Sequence, residues 1–167
     1  MRSIMVVLHV ISGSAGLVLG LAAMIIDTRR FAAGLRTVGR CTIGYVAVVL
    51  VVCLTGSGLV LLGRPDLWWL IPLSALTFGL SVLAQQSAAR RFRGWTHGYA
   101  HGIGGSYIAQ TTALIVVALV VNGPLHGAAE LIPWLAPTMI GTVLLELWRR
   151  RLPASIPKIP AAAPADV

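Results

Sequence analysis

Five apolar stretches, each close to twenty residues long, constrain this chain more than any motif in it. They cover approximately residues 4–26, 41–62, 67–88, 101–122 and 132–148. A bilayer hydrocarbon core of ~30 Å needs about 20 residues of helix at roughly 1.5 Å rise per residue, and each stretch is near that length. Backbone groups in hydrocarbon must find their partners within the segment itself, so the stretches read as helices. The expected fold is therefore all-α and integral to a membrane, a bundle of about five transmembrane helices.

The connections sort by charge. Arg29, Arg30, Arg36 and Arg40 follow the first stretch, Arg90, Arg91 and Arg93 the third, and Arg149, Arg150 and Arg151 the fifth. Arg2 and Arg64 alone fall on the other side of this frame. Arginine and lysine concentrate on the cytoplasmic side of membrane proteins, so the pattern sets the N-terminus out and the C-terminus in. Tryptophans agree with the frame: Trp68, Trp69 and Trp134 fall at the outer interface, and Trp95 and Trp148 at the inner one.

Composition excludes the soluble reading of the charge. A net charge of +8 would point to nucleic acid in a soluble protein. With 57% hydrophobic and 11% charged residues, however, the chain lacks the polar surface to cover a water-soluble globule. Its arginines belong to the membrane surface, and the expected partner is the lipid bilayer, with no nucleic acid. A cleaved signal peptide is the competing reading of residues 1–26. It is disfavoured because the run is long, contains His9 and is followed at once by Asp27 and paired arginines. Residues 1–151 form one bundle domain, and residues 152–167, with Pro153, Pro157, Pro160 and Pro164 among alanines, read as a disordered cytoplasmic tail. Cys41 and Cys53 lie twelve apart in one apolar run and read as packing residues, not a disulfide.

The first helix carries His9, Gly13, Gly16 and Gly20 on one stripe. The glycines admit a close neighbouring helix, and Gly16 with Gly20 forms a small-xxx-small pair. An imidazole in hydrocarbon costs several kcal/mol without a partner, which turns His9 inward. In the second run, Thr55 and Ser57 can bond to carbonyls of their own helix and need no functional reading. Gln85 and Gln86 end the third run as a solvated helix end.

The polar stretch from Trp95 to Tyr107 leads into the fourth run. His97 and His101 stand i and i+4, so on a helix both imidazoles share one face, a spacing that can share a metal or flank a ligand. Glu146, in the last turns of the fifth run, falls at the same level as His101, as do Asp27, Gln85 and Gln86. Neutral imidazoles and a carboxylate can bind a cation or move a proton near neutral pH, so His97, His101 and Glu146 are the candidate metal set. Against this stand two local readings. One makes the histidine pair an interfacial helix start among headgroups; the other pairs Glu146 with Arg149 or Arg150, three and four residues on. At the outer side His126 and Glu130 are again i and i+4, with His9 below them. A single site using all four histidines would span about 20 Å or more, which takes weight from a transmembrane haem.

The chain resembles the DUF2306 family of small bacterial integral membrane proteins of unknown function. The resemblance lies in Leu8-His9-Val10-Ile11-Ser12-Gly13 with Gly16 and Gly20, in Arg36-Thr37-Val38-Gly39-Arg40, and in His101 with Gly104-Gly105-Ser106-Tyr107-Ile108-Ala109. It covers roughly the first four helices and implies a helical fold in the bacterial inner (cytoplasmic) membrane, with no activity attached. Members often carry a histidine just before the arginine-rich turn, where this chain has Leu35, a departure that weakens any three-helix histidine site.

Three functions follow as expectations. The first is a site for a lipophilic small molecule or cofactor, a quinone, haem or divalent metal, built from His9, His97, His101, Ser106, Tyr107 and Gln110. The second is a cofactor-free membrane enzyme of isomerase or cyclase type acting on an isoprenoid-like substrate, with His101, Glu146 or Asp27 as catalytic acid or base. The third is a structural or accessory subunit in a homo-oligomer or with a membrane partner. A channel or pump fits less well, because His9 alone among ionisable residues lies well inside a span.

Overall fold

The computed structural model describes residues 2–35, 37–91, 93–121 and 123–152, with the backbone alone for Val121. Five α-helices follow in order: α1 (Arg2–Ala32), α2 (Arg40–Gly63), α3 (Leu70–Arg90), α4 (Trp95–Val116) and α5 (Leu131–Arg149). A π-helical turn at Val117–Val121 ends α4, and short 3-10 turns at Pro65–Leu67 and Gly127–Glu130 precede α3 and α5. There is no strand among the described residues. All five helices are long and apolar enough to cross a membrane.

The burial pattern is the reverse of a water-soluble bundle. Ile4, Leu54, Leu61, Leu62, Met139 and Val143 are between 62% and 69% exposed, whereas Asp27, Thr42, Ser81 and Ser106 are fully buried. Apolar surface on this scale has no reason to stay in water, at roughly 25 cal/mol for each Å² that could be removed from it.

The first four helices form a ring in which α1 packs on α2, α2 on α3, α3 on α4, and α4 back on α1; α5 packs on the outside of α4. Contacts run antiparallel: Asp27 meets Tyr99 and Gly20 meets Tyr107 across α1 and α4, and Gly104 meets Leu145 and Ile108 meets Gly141 across α4 and α5. Helix α4 therefore touches three neighbours, and its small residues make this possible. A Cβ on Gly102 would lie 2.6 Å from both the Ala84 nitrogen and the Leu80 carbonyl oxygen, so α3 and α4 approach backbone to backbone there.

Several helix limits differ from those read in the sequence. Helix α1 continues to Ala32, taking Asp27, Arg29 and Arg30 onto the helix. Helix α4 begins at Trp95, so His97 and His101 lie in its first two turns. Gln85 and Gln86 lie within α3, which continues to Arg90. Helix α5 holds Pro133 near its start and Pro137 inside it without interruption. Proline costs least in a first helical turn, where its missing N–H is needed least. Leu152, read as the first residue of the tail, is buried in the core cluster; residues 153–167 lie outside the described residues. At the end away from most arginines, Arg64 and Asp66 form an exposed ion pair at 2.8 Å, which holds the Asp66 carboxyl below the usual carboxylate range. Cys41 and Cys53 are free thiols.

Candidate functional site

Asp27 organises the arginine-rich end. Its carboxylate is fully buried and accepts hydrogen bonds from the Gly39 backbone N–H at 2.6 Å, from the Thr42 hydroxyl, and from the Tyr99 hydroxyl at 2.9 Å. Gly39 is the residue just before α2 and Thr42 lies in its first turn. The carboxylate thus stands at the positive end of the α2 dipole and takes one of the N–H groups that a helix start leaves without a partner. One side chain closes the α1–α2 turn and ties both helices to α4. Three donors converge on its two oxygens, the arrangement of a structural acceptor and not of the proton donor expected from the sequence.

An aromatic cluster seals this carboxylate from outside. Phe31 meets Trp95 and Tyr99 edge-on at 5.0 and 5.1 Å, and Tyr99 meets Trp148 at 5.9 Å. The Arg91 guanidinium lies 3.9 Å from the Trp95 ring centroid and donates to the Leu35 carbonyl at 2.8 Å. That contact fastens the α3–α4 turn to the α1–α2 turn by a cation–π and a hydrogen-bond arm together. Arg91 holds a left-handed backbone (φ 47°) and Gly94 another (φ 83°), the geometry needed to reverse the chain in so few residues.

A second polar layer lies deeper in the bundle. Tyr45 on α2 pairs with Ser106 on α4 at 2.9 Å, and the Gln110 amide donates to the Tyr45 hydroxyl at 2.9 Å. The other end of that amide, Gln110 Oε1, is buried without a hydrogen-bond partner among the described residues. It faces Gly16, where a Cβ would lie 2.6 Å from it. The Gly16 stripe thus admits a polar side chain, not only a neighbouring helix. His9 lies further along the same stripe, and its Nδ1 is 3.0 Å from Thr55 Oγ1. Since that hydroxyl lies 2.7 Å from the Val51 carbonyl and donates to it, its lone pair accepts from His9 Nδ1–H, leaving Nε2 as the imidazole acceptor.

The residues expected to form a metal or acid–base set do not converge. His97 and His101 do share a face, their rings stacked at 3.9 Å, but His101 Nδ1 is engaged with the His97 carbonyl at 3.0 Å. Glu146 accepts from Arg149 at 2.7 Å through both oxygens and from Arg150 at 3.1 Å. The local ion pairs of one helix thus occupy the carboxylate that the metal reading needs. Among the described residues no three His, Cys, Asp or Glu side chains come together as metal donors. Ser106 and Gln110 sit in the Tyr45 layer, His9 on Thr55, and His97 at the exposed end of α4, so the six residues named for a cofactor are divided among separate places. His126 is exposed, and Glu130 turns back to the Gly127 N–H at 3.1 Å in a 3-10 turn; the helical i, i+4 face expected there is not formed.

A groove with room for a ligand lies elsewhere. Helices α1 and α5 stand on either side of α4 and leave between them a groove of about 900 Å³. Its floor is α4 from Gly104 through Tyr107, Ile108 and Thr111, continued by Leu119 of the π-helical turn; its walls are Leu21 to Arg29 of α1 and Ile132 to Trp148 of α5. Fifteen residues separate Gly104 from Leu119, which at roughly 1.5 Å each gives a length of about 22 Å. Trp148 spans the arginine-rich end, its indole N–H donating to Thr28 Oγ1 at 2.9 Å. Arg29 and Arg151 flank that end.

The chain matches no protein-family model, no curated protein and no solved structure. Tyr107 is the one residue of the expected cofactor set that lines the groove. Sequence reasoning missed Tyr45, Tyr99, Thr42 and the α1–α5 groove. A signal for Thr42 was present: an acid next to an apolar run, followed by a helix start with a glycine and a threonine, calls for donors at that helix start.

Proposed function

We propose that this is a multi-pass membrane protein, N-terminus outside and C-terminus inside, whose groove between α1 and α5 takes up the apolar part of a lipophilic small molecule from the bilayer. Five apolar helices with apolar outward faces support insertion. Nine described arginines gather at or just beyond the ends of α1, α3 and α5, against Arg2 and Arg64 at the other end, which supports the orientation. The resemblance to the DUF2306 family supports a bacterial cytoplasmic membrane as the location.

The groove carries the functional reading. Its volume falls within the range of small-molecule sites, roughly 300–1,000 Å³, and its lining is mostly apolar, with Tyr107 and Thr111 as polar groups along it and Thr28, Arg29, Trp148 and Arg151 at the arginine-rich end. A length of about 22 Å, against ~30 Å for a bilayer core, suits one extended tail lying along α4. Among the described residues no histidine lines it, so the reading is of a tail-binding site and not of haem or metal ligation. Of the three residues named for the isomerase or cyclase alternative, Asp27 is engaged by three donors and Glu146 by two arginines, and neither these nor His101 lines the groove.

A photoactivatable single-chain lipid, added to the purified protein in nanodiscs, tests the reading. Labelled peptides are expected from the groove walls and floor in excess over the equally apolar outer face of α2 at Leu54 and Leu61. Ala136→Trp, which fills the groove, should remove that excess. Even labelling of every apolar face, unchanged by Ala136→Trp, would overturn it.

A further inference from the structure

We infer that the arginine-rich end of this groove selects a phosphate-bearing head group on the lipophilic molecule, read by Arg29 and Arg151; the inference rests on the groove reading above. The cations of this end are not equivalent. Arg30 donates to Thr37, Arg91 to the Leu35 and Ala88 carbonyls, and Arg149 and Arg150 to Glu146. Arg29 and Arg151 line the groove, and among the described residues neither has an acid partner. Nor does any described aspartate or glutamate line the groove to neutralise them.

The remaining polar groups at this end have no donor to spare for a head group. The Trp148 N–H is taken by Thr28 Oγ1, and the Thr28 hydroxyl donates to the Met24 carbonyl at 2.6 Å. Recognition of a polar head here therefore falls to two guanidinium groups, which favours an anion over a sugar or a neutral alcohol. Guanidinium forks match the paired oxygens of a phosphate and hold it through two parallel N–H bonds, which a lysine ammonium cannot do. Helices α1 and α5 both end nearby, and the partial negative charge of their last carbonyls would repel an anion unless arginines stood between. The tail in the groove and the phosphate at its mouth define the ligand class as a membrane lipid phosphate.

Two photoactivatable probes with the same acyl chain, lysophosphatidic acid and monoacylglycerol, separate head-group selection from tail binding. In nanodiscs of the full chain, groove labelling is expected to favour the phosphate probe by about 10-fold, the scale of one charge-assisted contact. In Arg29→Gln/Arg151→Gln the ratio should fall to near one. Arg29→Lys/Arg151→Lys keeps the charge that orients the chain and should give an intermediate ratio, so a folding or orientation defect in the glutamine variant does not decide the result. Equal groove labelling by both probes in the unaltered protein overturns the head-group inference and leaves the groove reading standing. A preference that survives in the glutamine variant overturns it as well. Groove labelling by neither probe overturns both.

Discussion

Tyr99 donates a 2.9 Å hydrogen bond to Asp27 across 72 residues of sequence, and the same carboxylate caps the start of α2 through Gly39 and Thr42. Three helices therefore share one acceptor. Asp27→Ala leaves three donors without a partner, each at a cost of about 1–3 kcal/mol when buried. Asp27→Asn replaces an acceptor oxygen by an amide donor facing donors and should lower the thermal midpoint in detergent nearly as far. Tyr99→Phe removes one bond to a charged group and should cost about 1.5–3 kcal/mol. A protein in which Asp27→Asn melts with the wild type would show that the carboxylate does not organise this end.

Gly102 and Gly13 make a paired test of close helix packing. Gly102→Ala sets a methyl against the Ala84 and Leu80 backbone, where nothing flexible can yield, and should destabilise by about 1–3 kcal/mol through forced separation of α3 and α4. A methyl added at Gly13 would meet nothing within 4 Å among the described residues, so Gly13→Ala should gain up to about 1 kcal/mol from helix propensity alone. Unfolding midpoints of the two variants moving in the same direction would contradict the packing described.

The helices were legible because hydropathy and length act locally, residue by residue. Their ends were less so. Helix α1 carries Asp27 and its arginines past the apolar run because long arginine side chains can reach water while the backbone stays helical. The start of α4 was hidden by glycines and histidines, which lower apparent hydropathy without stopping a helix. The sites were less legible still. Spacing showed that His97 and His101 share a face, but a third ligand depends on how helices dock. Glu146 went to Arg149 and Arg150, neighbours on its own helix, while Asp27 found partners 12, 15 and 72 positions away. The groove depends on α1 and α5 standing apart beyond the Trp148–Thr28 contact, and no local pattern encodes a gap.

The exposed imidazole stack is expected to matter little for the fold. His97→Ala with His101→Ala removes two rings stacked on one another near the start of α4, so unfolding should shift by no more than about 0.5 kcal/mol. Isothermal titration with zinc should show no difference between this variant and the wild type, because among the described residues no third donor adjoins the pair. Zinc binding at one equivalent, lost in the variant, would restore the metal reading.

Trp148 and Thr28 close one end of the groove and are the main polar tie described between α5 and α1. Thr28→Val keeps the volume and deletes the acceptor; Trp148→Phe keeps an aromatic ring and deletes the donor. Each should lower stability by about 1 kcal/mol, the net value of a neutral hydrogen bond, with Trp148→Phe adding some lost contact with Tyr99. Groove labelling by a single-chain lipid should fall in both, because a mouth free to splay holds the tail less firmly. If the hydrogen bond is the cause, the double variant should label no less than the worse single one, since residues in direct contact lose their shared interaction only once. Fully additive losses would instead mean that each side chain meets the lipid separately, and that the groove is held open by the packing of α4 alone.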